Sequence, residues 1–277
     1  MPYIQRDNNR KLFFECTGCG SPIVFIHGWK AISDIYIEPV SEIGKYYRCI
    51  RYDQCGHGRS QVPDFEPDMM TLADDLNALL DEIDLNDVTL IGHSMGGLTI
   101  LEYIKKYGMG RIKQIIIVDI PPKLINDETW HYGAGAGSYT KDVFETELSQ
   151  MRTDFSAYLT VRYAGKTDGW AEMTVAERDA FKQKKMVGFD RIVLTSLHEA
   201  LTKADYRDVL PSIDVPMAVF YGSNSEYCMP EAADYYKVAA KKVKTVEFPN
   251  ATHELITEYP GRFTDEVMRF CSGDTRI

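Results

Sequence analysis

Short apolar runs alternate along the chain with longer stretches in which apolar residues recur every three or four positions. The runs at 12–15, 22–27, 47–53, 88–92 and 113–119 read as strands, and the later ones are so continuously apolar that both sheet faces must be covered. Before the fourth run, Met69, Leu72, Ala73, Leu76, Leu79, Leu80 and Ile83 fall at helical spacing, with Asp74, Asp75, Asp81 and Glu82 on other faces. The alternation resumes with a strand at 215–221, a helix from about 230, a strand at 243–248 and a last helix over 259–271. This order predicts an α/β fold, a mostly parallel sheet flanked by helices.

Between residues 122 and 211 the alternation stops. That stretch holds Trp130, His131 and Tyr132, a GAGAG turn at 133–137, and helical patterns carrying Phe144, Tyr158, Tyr163, Trp170, Phe181 and Phe189. It is too long for a plain loop and too aromatic for disorder, so it reads as a helical cap inserted over one end of the sheet. The core is then 1–121 with 212–277, and the cap 122–211.

Composition narrows the class. The 277 residues carry a formal charge of -10, which argues against a nucleic-acid partner. No window reaches the roughly 18 apolar residues of a membrane span, and the first residues lack a signal-peptide pattern. Six cysteines scattered at 16, 19, 49, 55, 228 and 271 suit free thiols in a reducing compartment. The expectation is a cytoplasmic protein with no membrane partner; oligomeric state is not legible. The lone C-x-x-C at 16–19 reads as a turn, with no second pair for a metal.

The densest chemical signal is VTLIGHSMGG at 88–97, a strand running into Gly92-His93-Ser94-Met95-Gly96 and then a helix from near Gly97. A sharp strand-to-helix turn of this kind exposes a serine hydroxyl at the carboxyl edge of a sheet. The helix behind it directs its positive end toward developing negative charge. A serine nucleophile needs a base, and of the six histidines His253, between the last strand and the last helix, falls on a loop at the same edge. His27 and His57 read as loop-shaping residues, and His93 flanks the serine. His131 and His198 lie in the insertion, as substrate contacts or as packing.

With FIHGW at 25–29, YDQCGHGRS at 52–60, GHSMGG at 92–97 and ATHELITEYPGRF at 251–263, the chain resembles the α/β-hydrolases over nearly its full length. The resemblance implies that the backbone N–H groups of Trp29 and Met95 form an oxyanion hole, each donor contributing a few kcal/mol of transition-state stabilisation. Cys55 stands where an arginine is commoner in the family, as either a reactive thiol or a packed one. In most of the family the triad acid lies three residues after the glycine that closes the strand at 215–221, and that position is Ser225. Two carboxylates compete for the role: Asp119, at the end of the preceding strand, and Glu226, one residue out of phase. Some family members do carry the acid on the earlier strand, and adjacent strands lie only about 4.8 Å apart. Asp119 is therefore the first candidate, with Ser225 within its hydrogen-bond network, and Glu226 the alternative.

These parts predict a serine esterase acting through an acyl-enzyme on a small ester-like substrate, with no metal or organic cofactor. His93, Trp130 and Tyr132 are candidate substrate contacts. The same triad also serves lactone, thioester, amide or carbon-carbon hydrolysis or perhydrolysis, and a receptor with little turnover is the alternative of another class.

Overall fold

The computed structural model describes residues 2–6, 9–164 and 167–273. Its strands are β1 (Tyr3–Gln5), β2 (Lys11–Thr17), β3 (Pro22–Ile26), β4 (Arg48–Tyr52), β5 (Val88–His93), β6 (Ile112–Val118), β7 (Met217–Gly222) and β8 (Val243–Phe248). They form one sheet in the order β1-β2-β4-β3-β5-β6-β7-β8. Pairing is antiparallel between β1, β2 and β4 and parallel everywhere else.

Period-two alternation sorts the parallel strands onto two apolar layers. Val24, Ile26, Leu90, Ile115, Ile117 and Val219 face one layer, shared with α2 (Met69–Glu82), α3 (Met95–Tyr107) and α8 (Pro230–Ala239). Ile23, Phe25, Ile91, Ile116, Val118 and Phe220 face the other, closed by α1 (Ile37–Ile43), α9 (Leu255–Glu258) and α10 (Pro260–Cys271). Helix α2 begins in a capping box in which the Asp68 side chain accepts from Thr71 N at 2.8 Å. Its one buried carboxylate, Asp75, takes both terminal nitrogens of Arg10 at 2.7 and 2.6 Å, which ties the antiparallel edge to the helix.

Local detail adds to the periodicity. Strand β1 and helix α1 were too short to register as apolar patterns. Helix α3 starts at Met95 rather than near Gly97, because the Ser94 carbonyl already accepts from Gly97 N at 2.8 Å. Cys55 is wholly buried in the first layer, and burial pushes its thiol up to about 12, so it packs rather than reacts.

Between β6 and β7 the chain leaves the sheet, and Tyr206 N–H donates to Pro122 O at 3.0 Å to join the two ends of the excursion. Within it lie α4 (Lys141–Thr153), α5 (Phe155–Ala164), α6 (Val175–Lys185) and α7 (Arg191–Lys203). Met151, Phe155, Tyr158, Leu159 and Leu194 pack into a small core of their own, against which Trp29 and Phe189 lean.

Candidate active site

Parallel register brings the carboxyl ends of four strands together: His93 pairs with Val118, Val118 with Phe220, and Gly222 with Phe248. The first residue past β5 is Ser94, at φ 52° and ψ -121°, a conformation that costs a non-glycine residue roughly 1–3 kcal/mol. Its surroundings hold it there, with Ser94 N–H donating to Val118 O at 2.9 Å. A Cβ on Gly92 would sit 2.3 Å from Gly96 O, and one on Gly96 2.2 Å from Ile26 O, so both flanking glycines are required by close approach. Ser94 lies on the wall of a cavity of about 630 Å³ that His93 and His253 also line.

One residue past β6, Asp119 has φ 55°, a left-handed conformation that aspartate tolerates better than most residues. The turn directs its carboxylate across the end of β7. Three donors converge on it. Gly222 N–H reaches Oδ1 at 2.9 Å, the Ser225 hydroxyl bonds Oδ2, and His253 Nδ1 meets the same Oδ2 at 2.6 Å. The Asp119 side chain is fully buried and that of His253 18% exposed, so little water competes for this contact. Because a carboxylate accepts, Nδ1 is the donor in this contact, and in the neutral ring Nε2 is then the acceptor. Glu226 lines the cavity and does not meet this ring in the described hydrogen bonds.

Two aromatic rings pack against the His253 imidazole. Tyr227 stacks at 4.1 Å between centroids and 32°, and His93 at 4.7 Å and 38°. His93 Nε2 donates to the His253 carbonyl at 2.8 Å, and burial, reinforced by the neighbouring His253, holds the His93 ring down at about 4. Tyr227 N–H in turn donates to Ser225 Oγ at 3.1 Å. One short segment therefore supports both the hydroxyl on Asp119 and the ring on His253.

The loop after β3 passes so close to Ser94 that a Cβ on Gly28 would stand 3.0 Å from the serine Cβ. His27 and His57 shape it. Gln54 N–H donates to His27 Nε2 at 2.8 Å while Nδ1 donates to Gly28 O at 2.8 Å. Lys30 N–H donates to His57 Nε2 at 3.2 Å, and His57 Nδ1 donates to Cys55 O at 3.0 Å. Burial keeps both rings neutral, His57 at about 3. Next to His57, burial alone would raise Asp53, but the Arg59 guanidinium and the Ser33 and Arg59 amides hold it at about 2. Among the described residues neither the Trp29 nor the Met95 backbone N–H finds an acceptor.

A family model described as the alpha/beta hydrolase fold matches residues 21–260. The chain belongs to that family. Within it, the chain is 31% identical to the non-heme chloroperoxidase CPO-A1 of Kitasatospora aureofaciens, over 82% of each chain. It is 26% identical to the pimeloyl-[acyl-carrier protein] methyl ester esterase of Nitrosospira multiformis, over 94% of this chain and 97% of that one. The bromoperoxidase of Bacillus anthracis superposes with a TM-score of 0.82 at 25% identity, over 96% and 97% of the two chains.

The cavity wall of this α/β-hydrolase differs from what the sequence suggests. Trp130 and Tyr132 are not part of it. Trp130 is buried, its Nε1–H donating to Lys123 O at 2.9 Å and its ring packed at 4.8 Å on Tyr235, so it fastens the insertion to α8. The wall is instead Trp29 and Lys30 from the loop after β3, and Tyr139, Glu147, Arg162, His198 and Leu201 from the insertion. Of these, Trp29 and His198 had a sequence signal. Tyr139 Oη donates to Glu147 Oε2 at 2.5 Å and His198 Nε2 to the same oxygen at 3.1 Å, which makes a compact polar cluster in the wall. Tyr227 had none beyond its position two residues after Ser225.

Proposed function

We propose that the protein is a serine hydrolase cleaving a carboxylic ester, with Ser94 as nucleophile, His253 as general base and Asp119 as the acid of the triad. The observation that carries this reading is the 2.6 Å contact between Asp119 Oδ2 and His253 Nδ1 beside a serine held in a strained turn. That contact fixes the tautomer whose free Nε2 takes the serine proton, and it stabilises the imidazolium that forms. As Ser94 Oγ bonds to the carbonyl carbon, charge moves to the carbonyl oxygen. The Trp29 and Met95 amides supply the donors it needs. His253 then returns the proton to the leaving alkoxide and activates water to release the acid from Ser94. The reaction so written uses no cofactor, and the partner is a small ester of a size that a cavity of about 630 Å³ admits.

A cytoplasmic location suits the six unpaired cysteines, and no helix among the described residues is long and apolar enough to cross a membrane. A fluorophosphonate probe tests the assignment directly. Labelling of the wild-type protein but not of Ser94→Ala, together with turnover of short p-nitrophenyl esters, is the expected result; a wild type that takes no label ends the hydrolase reading.

The names of the chloroperoxidase and bromoperoxidase relatives favour a second use of the same acyl-enzyme. Hydrogen peroxide replaces water, the bond from acyl carbon to Ser94 Oγ breaks, the acyl carbon bonds to peroxide oxygen, and the peroxide proton returns to Oγ through His253. Peracid formation from a carboxylic ester and peroxide, absent in Ser94→Ala, is its signature.

A further inference from the structure

We propose that Arg162 and Lys30 form an anion-recognition subsite in the cavity, so that the favoured ester carries a carboxylate remote from its scissile carbonyl. The inference rests on the hydrolase reading for the word ester and on the cavity wall for the rest. Arg162, near the end of α5, lines the same cavity as Ser94 and His253. Its guanidinium lies over the Trp29 ring, 4.9 Å from the centroid, and Nη1 donates to Tyr158 Oη at 3.3 Å. The Tyr227 hydroxyl is its other neighbour, so it sits between the residues that flank the nucleophile and the base. Lys30 Nζ bonds the Tyr163 hydroxyl and lies 5.2 and 5.6 Å from the Tyr163 and Phe189 ring centroids.

Both cations are thus held by neutral aromatic groups. Among the described residues no ion pair joins either of them to a carboxylate. A guanidinium has five N–H donors in a planar fork, and hydroxyl contacts use only part of them. Lys185 is the third cation nearby. Burial first, then the charges of Arg162 and Lys185, push Lys30 down to about 8. Glu147, the carboxylate acting on Arg162 across the cavity, is already engaged by Tyr139 and His198. Glu147, Glu226 and Glu254 on the wall also set the charge the site accepts, because they repel a dianionic phosphate more than a carboxylate.

A matched pair of substrates separates this subsite from a mere aromatic clamp. Monomethyl adipate and methyl hexanoate present the same methyl ester on a chain of the same length, with and without a terminal carboxylate. Wild-type kcat/KM is expected to favour the adipate ester by about tenfold or more, and Arg162→Gln to cut that ratio by about tenfold, Lys30→Gln by less. Equal rates for the two esters in wild type, or equal losses on both in Arg162→Gln, overturn the proposal. Adipate binding by calorimetry to Ser94→Ala protein needs no turnover, so it keeps the two readings apart. Binding that disappears in the Ser94→Ala, Arg162→Gln double variant supports the subsite even if no ester is cleaved. Absence of binding in Ser94→Ala removes the subsite even if Ser94 takes the fluorophosphonate label.

Discussion

The ends of β6 and β7 lie side by side and have exchanged parts. The β6 end supplies a carboxylate that is fully buried and takes three hydrogen bonds. The β7 end supplies an amide and a hydroxyl to that carboxylate, while its own acid, Glu226, turns to the cavity. On the proposed triad the orienting acid comes from β6, and the β7 end only supports it, which poses the question whether the role belongs to one strand or to one point in space.

The comparison breaks most severely at Asp119. Asp119→Asn is expected to lower kcat about 10⁴-fold, because an amide at that point no longer holds the productive tautomer. Activity within a few-fold of wild type would return the role to another group. The exchange of parts is tested by Asp119→Ser combined with Ser225→Asp, which should recover about 100-fold over Asp119→Ser alone if one point in space is what matters; no recovery shows that the β6 approach is obligatory. Ser225→Ala removes one of three donors from the carboxylate and should cost about tenfold in kcat, measured with a p-nitrophenyl ester. Below this comes a pH effect on the neighbouring wall. Lys30, pushed down to about 8, is charged below that pH and neutral above it, while Arg162 stays charged and the His57 ring under its loop stays neutral. The preference for an anionic over a neutral ester should fall a few-fold as pH rises through about 8, and a flat ratio would leave Arg162 as the sole anion contact. Glu226→Gln, if the β7 acid is no part of the triad, should change kcat on a neutral ester by less than about threefold.

The sheet and the serine turn were legible because backbone geometry dictates their residues. Continuous apolar runs cannot lie in a half-exposed sheet, and Gly92 and Gly96 have no substitute where the chain approaches itself within 2.3 and 2.2 Å. Asp119 was legible as a candidate from its position at a strand end. The preference for Asp119 over Glu226 was legible, but the support from Gly222 N–H could not be read, since it depends on which way the backbone turns at φ 55°. The cap was legible only as an insertion. Its aromatic residues look alike in sequence, yet Trp130 fastens the insertion to α8 while Tyr139 and Phe189 reach the cavity. That distinction arises from helix packing across long sequence separations, as does the meeting of Trp29 with Leu194, whose carbonyl accepts from the indole N–H at 2.8 Å.

With the orienting carboxylate on β6, as proposed, the segment after β7 takes on other work. In the described structure Ser225 anchors its start, and Glu226 and Tyr227 form part of the chamber wall. On the proposed triad, position 225 carries a hydroxyl where the acid of most of the family would stand, and its neighbour Glu226 faces the chamber. The proposed triad thus separates two tasks along one segment: residue 225 supports the acid, while residues 226 and 227 give the chamber its charge and size.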